Sequence, residues 1–313
     1  MPKQLQYILK RVLYSIITIF VLICITFFLM HLMPGDPFTG QKAISPEIKE
    51  ALYSKYGLDE PLPIQFFKYV GNILRGDFGV SLQDKRPVAQ TIMESFPVSA
   101  DLGIRSLIFA TILGLLLGIV AAVKHGTGWD TGALIGVSVP SFILGALLQY
   151  FLGLKLYQAT GHQIFAVMGW GPANSKLLPS FALAFGSMAS ISRLMRTSML
   201  DVLNQDYIKT AKAKGLSRPA IIWKHAVRNA VMPIVTIMGP LVAAVLTGTF
   251  VVENIFAIPG LGKIFVQCVQ NNDYTTIVGT TLFYGSFLVF ANLVVDIIYG
   301  LLDPRIKLGG EKE

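Results

Sequence analysis

The densest run of groups able to act chemically lies between Arg193 and Arg228. There Arg193, Arg196, Lys209, Lys212, Lys214, Arg218, Lys224 and Arg228 stand against Asp201 and Asp206, a net charge of +6. Two uses fit lysines set this way: contact with anionic lipid headgroups, or docking of a protein partner. Bond-making chemistry has no comparable support. A phosphate-cradling loop needs G-x-x-x-x-G-K-[ST], but Gly262-Lys263 is followed by Ile264 and has Ala257 where the first glycine belongs. There is no H-E-x-x-H, and Gly136-Val137-Ser138-Val139 runs into Pro140 where a nucleophile elbow needs glycine. His31, His125, His162 and His225 are isolated in sequence and suit core or interface roles rather than a metal site. Cys24, expected in a helix, and Cys268, expected in a loop, give neither a disulfide framework nor a metal pair. The chain is therefore read as no enzyme, with no catalytic residue, metal ligand or cofactor of its own.

The elements that must hold the basic stretch are apolar. Of 313 residues, 53% are hydrophobic and 14% charged, and the mean hydropathy of +0.60 is too high for a soluble domain of this length. Six runs are long and apolar enough to cross a bilayer: Val12 to Met30, Ser106 to Val123, Thr131 to Leu154, Leu177 to Ser192, Asn229 to Val252 and Thr275 to Leu302. The first run is uncharged for about 19 residues and no small-x-small site follows, which suits a spanning helix better than a cleaved signal. The fourth is short and carries Pro179, Ser187, Ser190 and Ser192, so part of its surface must face protein or water. Its Ala182, Ala184, Gly186 and Ala189 favour close helix packing. The net charge of +8 is confined to short segments between apolar runs, the pattern of cytoplasmic membrane loops rather than of a nucleic-acid binder.

The excess of Lys and Arg between Arg193 and Arg228 places that loop in the cytoplasm. Six crossings then put the N-terminus, with Lys3, Lys10 and Arg11, and the C-terminus, with Arg305 and Lys307, on the same side. Residues 32–98 form an extracytoplasmic region between a first segment, 1–31, and a core, 99–302, with a cytoplasmic tail at 303–313. Turn signals crowd the outer region: Pro34-Gly35-Asp36-Pro37, a short amphipathic helix starting near Ser45-Pro46-Glu47, Gly57, and Pro61-Leu62-Pro63. Phe66, Phe67, Tyr69, Phe78 and Phe96 supply apolar anchors for an ordered cap.

Within the basic loop, Asp206 can cap a short helix and Gly215 can end it in a left-handed conformation. A second helix follows from Ser217, with Pro219 in its first turn, and runs through Trp223 and His225 toward Pro233. Ala211 and Ala213 leave little bulk, so a partner could come close. Ile258-Pro259-Gly260-Leu261-Gly262 reads either as a re-entrant or capping turn at the outer mouth or as an ordinary external turn. Asp296, near the inner end of the last run, suits snorkelling or a pair with Arg305 at least as well as a substrate role. Pro140, Gly145, Gly239, Pro240 and Gly248 fit either kinks along a pathway or routine helix packing. No substrate-contacting residue can be named.

Lys209-Thr210-Ala211, followed three residues later by Gly215, resembles the E-A-A-x-x-x-G coupling loop of ABC importer permeases. Lys209 stands where the glutamate is usual and Thr210 where the first alanine is, and the later I-x-L-P element is absent. The longer run from Tyr207 to Thr236 is similar to the dipeptide and oligopeptide permease branch, including Ala211-Lys212-Ala213-Lys214-Gly215-Leu216 and His225-Ala226-Val227-Arg228-Asn229-Ala230. Three further blocks, in order, resemble the first permease subunit of such systems. They are Tyr56-Gly57-Leu58-Asp59 with Pro61-Leu62-Pro63, then Gly76-Asp77-Phe78-Gly79-Val80-Ser81, and the closing set Val252-Glu253-Asn254-Ile255-Phe256, Ile258 to Gly262, Asn292, Asp296 and Asp303-Pro304-Arg305-Ile306.

The resemblance implies an all-α membrane fold of six helices, type I ABC importer permease-like, in a bacterial cell membrane. It implies that Tyr207, Lys209, Thr210, Ala211, Lys212, Gly215, Leu216 and Arg218 contact an ATPase, and that Pro259, Gly260 and Gly262 belong to an outer-mouth loop. The implied partners are a second homologous permease subunit, two ATPase subunits carrying ATP and Mg, an extracytoplasmic peptide-binding protein, membrane lipid and a peptide substrate. A permease for nickel complexes or another small solute, and an ATP-independent secondary transporter, are the alternatives. The last would show broken charged helices and internal repeats, which are not evident.

Overall fold

Apolar runs of this length fold as helices because only a helix satisfies its own backbone N–H and C=O groups where water is absent. The structure, a computed structural model, describes residues 3–32, 59–81, 83–124, 139–247 and 249–302. In chain order, α1 (Lys3–Leu32), α2 (Leu62–Leu74) and α3 (Val88–Val123) come first. Next is α4 (Ser141–Thr160), which widens to a π-helix over Gln149–Lys155. Then follow α5 (Ala173–Leu203), the short α6 (Asp206–Ala213) and α7 (218–230), the last π-helical over Ile221–Ala226. The remaining helices are α8 (Met232–Thr247), α9 (Phe250–Ile255), α10 (Leu261–Gln270) and α11 (Tyr274–Leu302). Among the described residues the only strand-like pairing is an isolated bridge between Val80 and Pro87.

Among the described residues five helices are long and apolar enough to cross a membrane: α1, α3, α4, α5 and α11. The expected span from Asn229 to Val252 is divided among the end of α7, α8 and α9, and the apolar stretch of α8, Met232–Val242, is shorter than the others. Pro240 lies inside α8 and cannot donate to the turn before it. The third expected run starts later, at Ser141, and extends to Thr160; its residues 131–138 lie outside the described set. So do the turn at 34–37, the helix expected near Ser45, the Tyr56–Leu58 block and the tail from 303.

The chain packs as two units, residues 1–97 with 260–313, and 98–259. In the first, α1 lies along α11, where a Cβ on Gly285 would overlap Leu22. Phe27, 2% exposed, meets Phe66 edge-on at 5.2 Å and Tyr69 at 5.5 Å, so α2 is anchored as expected, whereas Phe67 is 73% exposed and touches its neighbour Phe66 at 5.9 Å. His31 takes an interface role, its ring nitrogens 2.9 Å from the Phe27 carbonyl and 3.0 Å from Gln65 Oε1. Phe96 packs on Phe283 and Phe287, each at 4.9 Å. The buried Asp273 accepts hydrogen bonds from Ser81 Oγ at 2.5 Å and Thr276 Oγ1 at 2.8 Å, tying the segment before α3 to the start of α11. Asp296 pairs with Arg11 of α1 at 2.9 Å; Arg305, its expected partner, is outside the described residues. Cys268 lies in α10 and not in a loop. Burial, reinforced by Asp273, pushes its thiol up to about 11, so it is protonated and unreactive at neutral pH.

In the second unit α3 and α5 run side by side in the same direction. Added Cβ atoms on Gly114 and Gly118 would lie 2.9 Å from Ile191 and 2.6 Å from Met195 Cβ and the Ser192 carbonyl, so the two glycines allow the contact. On the facing helix Ala182, Ala184 and Ala189 are buried as expected, whereas Gly186 meets only open space.

Candidate functional site

Both candidate regions of the second unit rest on the α3–α5 pair, one toward each end. From Asp101 to Ile119 is 18 residues, about 27 Å at the helical rise, close to the thickness of a bilayer's hydrocarbon core.

At one end sits α6. Ile208 and Ala211 are its buried residues, and they join Ile119 and Ala122 of α3, Met195 and Met199 of α5, Ile221 and Ala226 of α7 and Ile234 of α8 in one apolar cluster. The expectation that Ala211 is small so that a partner can approach is corrected. Ala211 is 5% exposed and its size lets α6 lie against the chain's own core, while Ala213 faces outward. Tyr207, Lys209, Thr210, Lys212 and Leu216 form the exposed face. Tyr207 Oη accepts from Asn229 Nδ2 at 2.8 Å, and Thr210 Oγ1 donates to the Asp206 carbonyl at 3.0 Å. Asp206 opens the helix without a side-chain capping bond and instead pairs with Lys209 at 2.8 Å. With side chains 94% and 68% exposed, that pair adds little stability.

α6 ends as the sequence suggested. Gly215 has φ +74°, its N–H donates to the Lys212 carbonyl at 3.0 Å, and the Leu216 N–H donates to the Ala211 carbonyl at 3.3 Å. This is a Schellman cap, in which the left-handed position favours glycine. Ser217 and Pro219 then start α7. Arg218 Nη2 reaches the carbonyl of Val123, the last residue of α3, at 3.4 Å, placing a cation at a helix C-terminus.

At the other end, α9 stops in the same motif. The Ala257 N–H donates to the Asn254 carbonyl at 3.3 Å and the Ile258 N–H to that of Glu253 at 2.8 Å, with Ala257 at φ +52°. Phe256 and Ile258 are buried with Leu102 of α3 and Leu178 and Ala182 of α5, and Trp170 packs against this cluster. Gln149, in the π-helical part of α4, donates from Nε2 to the carbonyls of Val167 at 2.8 Å and Ile255 at 3.1 Å. The Gly169 N–H donates to Phe256 at 2.8 Å. Of the three turn residues singled out by sequence, Pro259 is exposed, while Gly260 and Gly262 are buried at the start of α10. Gly260 has φ −92°, so its backbone does not demand glycine.

Sequence reading missed a charged group on this end. Asp101 Oδ1 accepts from Arg105 Nε at 2.7 Å, Asp101 Oδ2 accepts from Lys176 Nζ at 3.0 Å, and Lys176 lies 4.9 Å from the Trp170 ring centre. The i, i+4 acid and base beside a long apolar run were visible as a signal. Lys176, 75 residues away, was not.

A nearly all-helical chain with several spanning helices and a basic surface helix seated on them is a multi-pass membrane protein. It belongs to the family described as binding-protein-dependent transport system inner membrane component, which residues 110–308 match. Residues 4–103 match the N-terminal region of a binding-protein-dependent transport system membrane component. The dipeptide transport system permease protein of Bacillus subtilis (strain 168) is 44% identical over 310 residues, covering 97% of this chain and 98% of the relative. That of Lactococcus lactis subsp. cremoris is 40% identical over 311 residues, and the oligopeptide transport system permease protein of Escherichia coli (strain K12) is 39% identical over 311. Both alignments cover 97% of this chain and 100% of the relative.

Proposed function

We propose that this chain is a permease subunit of an ATP-driven importer of di- and oligopeptides, forming half of the pathway and taking its drive from a separate ATPase. The observation that carries the reading is the seating of α6. Its exposed face offers Tyr207, Lys209, Thr210, Lys212 and Leu216, while Ile208 and Ala211 lock its other face to α3, α5, α7 and α8. A push on the exposed face therefore moves the whole cluster, since packed cores shift between discrete arrangements rather than deform smoothly.

In this reading the 193–228 loop and both termini are cytoplasmic in a bacterial cell membrane, residues 32–98 lie outside, and α8 supplies a sixth crossing. A second permease subunit completes the pathway, two ATPase subunits hold ATP and Mg, and an external peptide-binding protein delivers the cargo. Proteoliposomes holding the permease pair with and without the ATPases test it: uptake must require both ATPase and ATP, and uptake without them rejects the reading. Gly215→Pro, which fixes φ near −65° and removes the N–H that closes the cap, is expected to leave ATP hydrolysis running while uptake stops. Normal uptake by that variant would count against the coupling role.

A further inference from the structure

The group formed by Asp101, Arg105 and Lys176 has no part in the drive just described. Arg105 stands one residue before the apolar run that starts at Ser106, and Lys176 one residue before the run that starts at Leu177. Both cations therefore lie at the same end of the α3–α5 pair, at the level where apolar helix begins. They share a single counter-ion: each Asp101 oxygen accepts from one of them. Among the described residues, Arg105 donates to protein through Nε alone, and its side chain is 46% exposed. Its two terminal nitrogens, a planar fork matched to a carboxylate, are thus left to whatever lies beside the helix. Ile104, Ile108 and Ile112 next to it are all about half exposed. A guanidinium beside such an apolar stripe is costly against lipid and is tolerated where it faces water or protein.

The base beneath the group is a buried apolar cluster. Leu102 and Leu178, neighbours of Asp101 and Lys176, are buried with Phe256 and Ile258, and Trp170 is held by the same cluster while it lies against the Lys176 ammonium. The group carries a net charge of one positive unit, which one further carboxylate would neutralise.

We propose that Arg105, positioned by Asp101 and assisted by Lys176, binds the C-terminal carboxylate of the peptide as it enters the permease. The proposal rests on the importer reading and assigns a specificity-determining contact to this chain in addition to any made by the binding protein.

The test uses the complete transporter with its binding protein in liposomes, comparing uptake of trialanine with trialanine amide. Arg105→Gln is expected to lower the ratio of free-acid to amide uptake by about 10-fold or more, the range of a hydrogen bond to a charged group, while ATP hydrolysis is retained. Arg105→Lys, which keeps the charge and loses the fork, is expected to fall between wild type and Arg105→Gln, and Lys176→Gln to act in the same direction more weakly. An unchanged ratio in Arg105→Gln and Arg105→Lys overturns the proposal. So does an equal fall for both peptides, or an effect set by the phosphatidylglycerol content of the liposomes, which would make the group a lipid anchor. Wild-type complex that takes up neither peptide with ATP would instead remove the importer reading on which the proposal rests.

Discussion

The two ends of the 98–259 unit use charge in opposite ways. Around α6 the cations are displayed: Lys209 is 68% exposed and its partner Asp206 94%, and the helix is held by Ile208 and Ala211 beneath them. Around Trp170 the cations are held: Lys176 is 21% exposed, shares Asp101 with Arg105, and rests against an indole. Displayed charges can be exchanged at little cost to the fold, while held charges report a geometry that was built. The helix stops differ in the same spirit. Both are Schellman caps, but Gly215 takes the left-handed position freely, whereas Ala257 occupies it with a Cβ that crowds the backbone.

The comparison breaks most severely at what the two ends share. Gly118→Leu puts a side chain where the Ser192 carbonyl and Met195 already sit at 2.6 Å from a Cβ. It is expected to cost upward of about 3 kcal/mol and abolish cooperative thermal unfolding of the purified subunit. Ile208→Ala empties the seat of α6 and is expected to cost about 2–5 kcal/mol locally. Its signature is early amide exchange in 206–218 with the 165–182 region unaffected; equal exchange at both ends would mean that the two clusters unfold as one. Exchanging the cap residues sharpens the contrast in sign. Gly215→Ala should destabilise by about 1–2 kcal/mol, whereas Ala257→Gly should stabilise, by up to a similar amount less the entropy that glycine adds to the unfolded chain. Thermal midpoints moving the same way in both variants would refute the assignment of strain. The smallest effect belongs to Lys209→Ala, which should leave the midpoint unchanged and alter only ATPase affinity, measured by titration at low and high salt.

Much of this was legible because it is local. Apolar runs of about 19 residues have few folds open to them, and a glycine after a short basic helix is a stop signal by conformation alone. Where local reading failed, the partner was distant. Ala211 looked like clearance for another protein, and the structure spends it on Ile221, Ala226 and the α3–α5 pair. Phe67 has the same composition as its neighbour Phe66 but points away from Phe27. Asp296 pairs with Arg11, from the other end of the chain, a partner that proximity in sequence did not suggest; Arg305 lies outside the described residues.

The sequence by itself determined that this is a helical membrane protein with one strongly basic loop, and it marked the loop's helix, hinge and family. Hydrophobic length, charge asymmetry and glycine conformation are properties of contiguous residues. Only the tertiary structure decided which small residues are interfaces, that the Gly114 and Gly118 face meets Met188 to Met195, and that Asp101, Arg105 and Lys176 form one group. Those depend on the rotation of packed helices about their axes, which no single helix's sequence fixes.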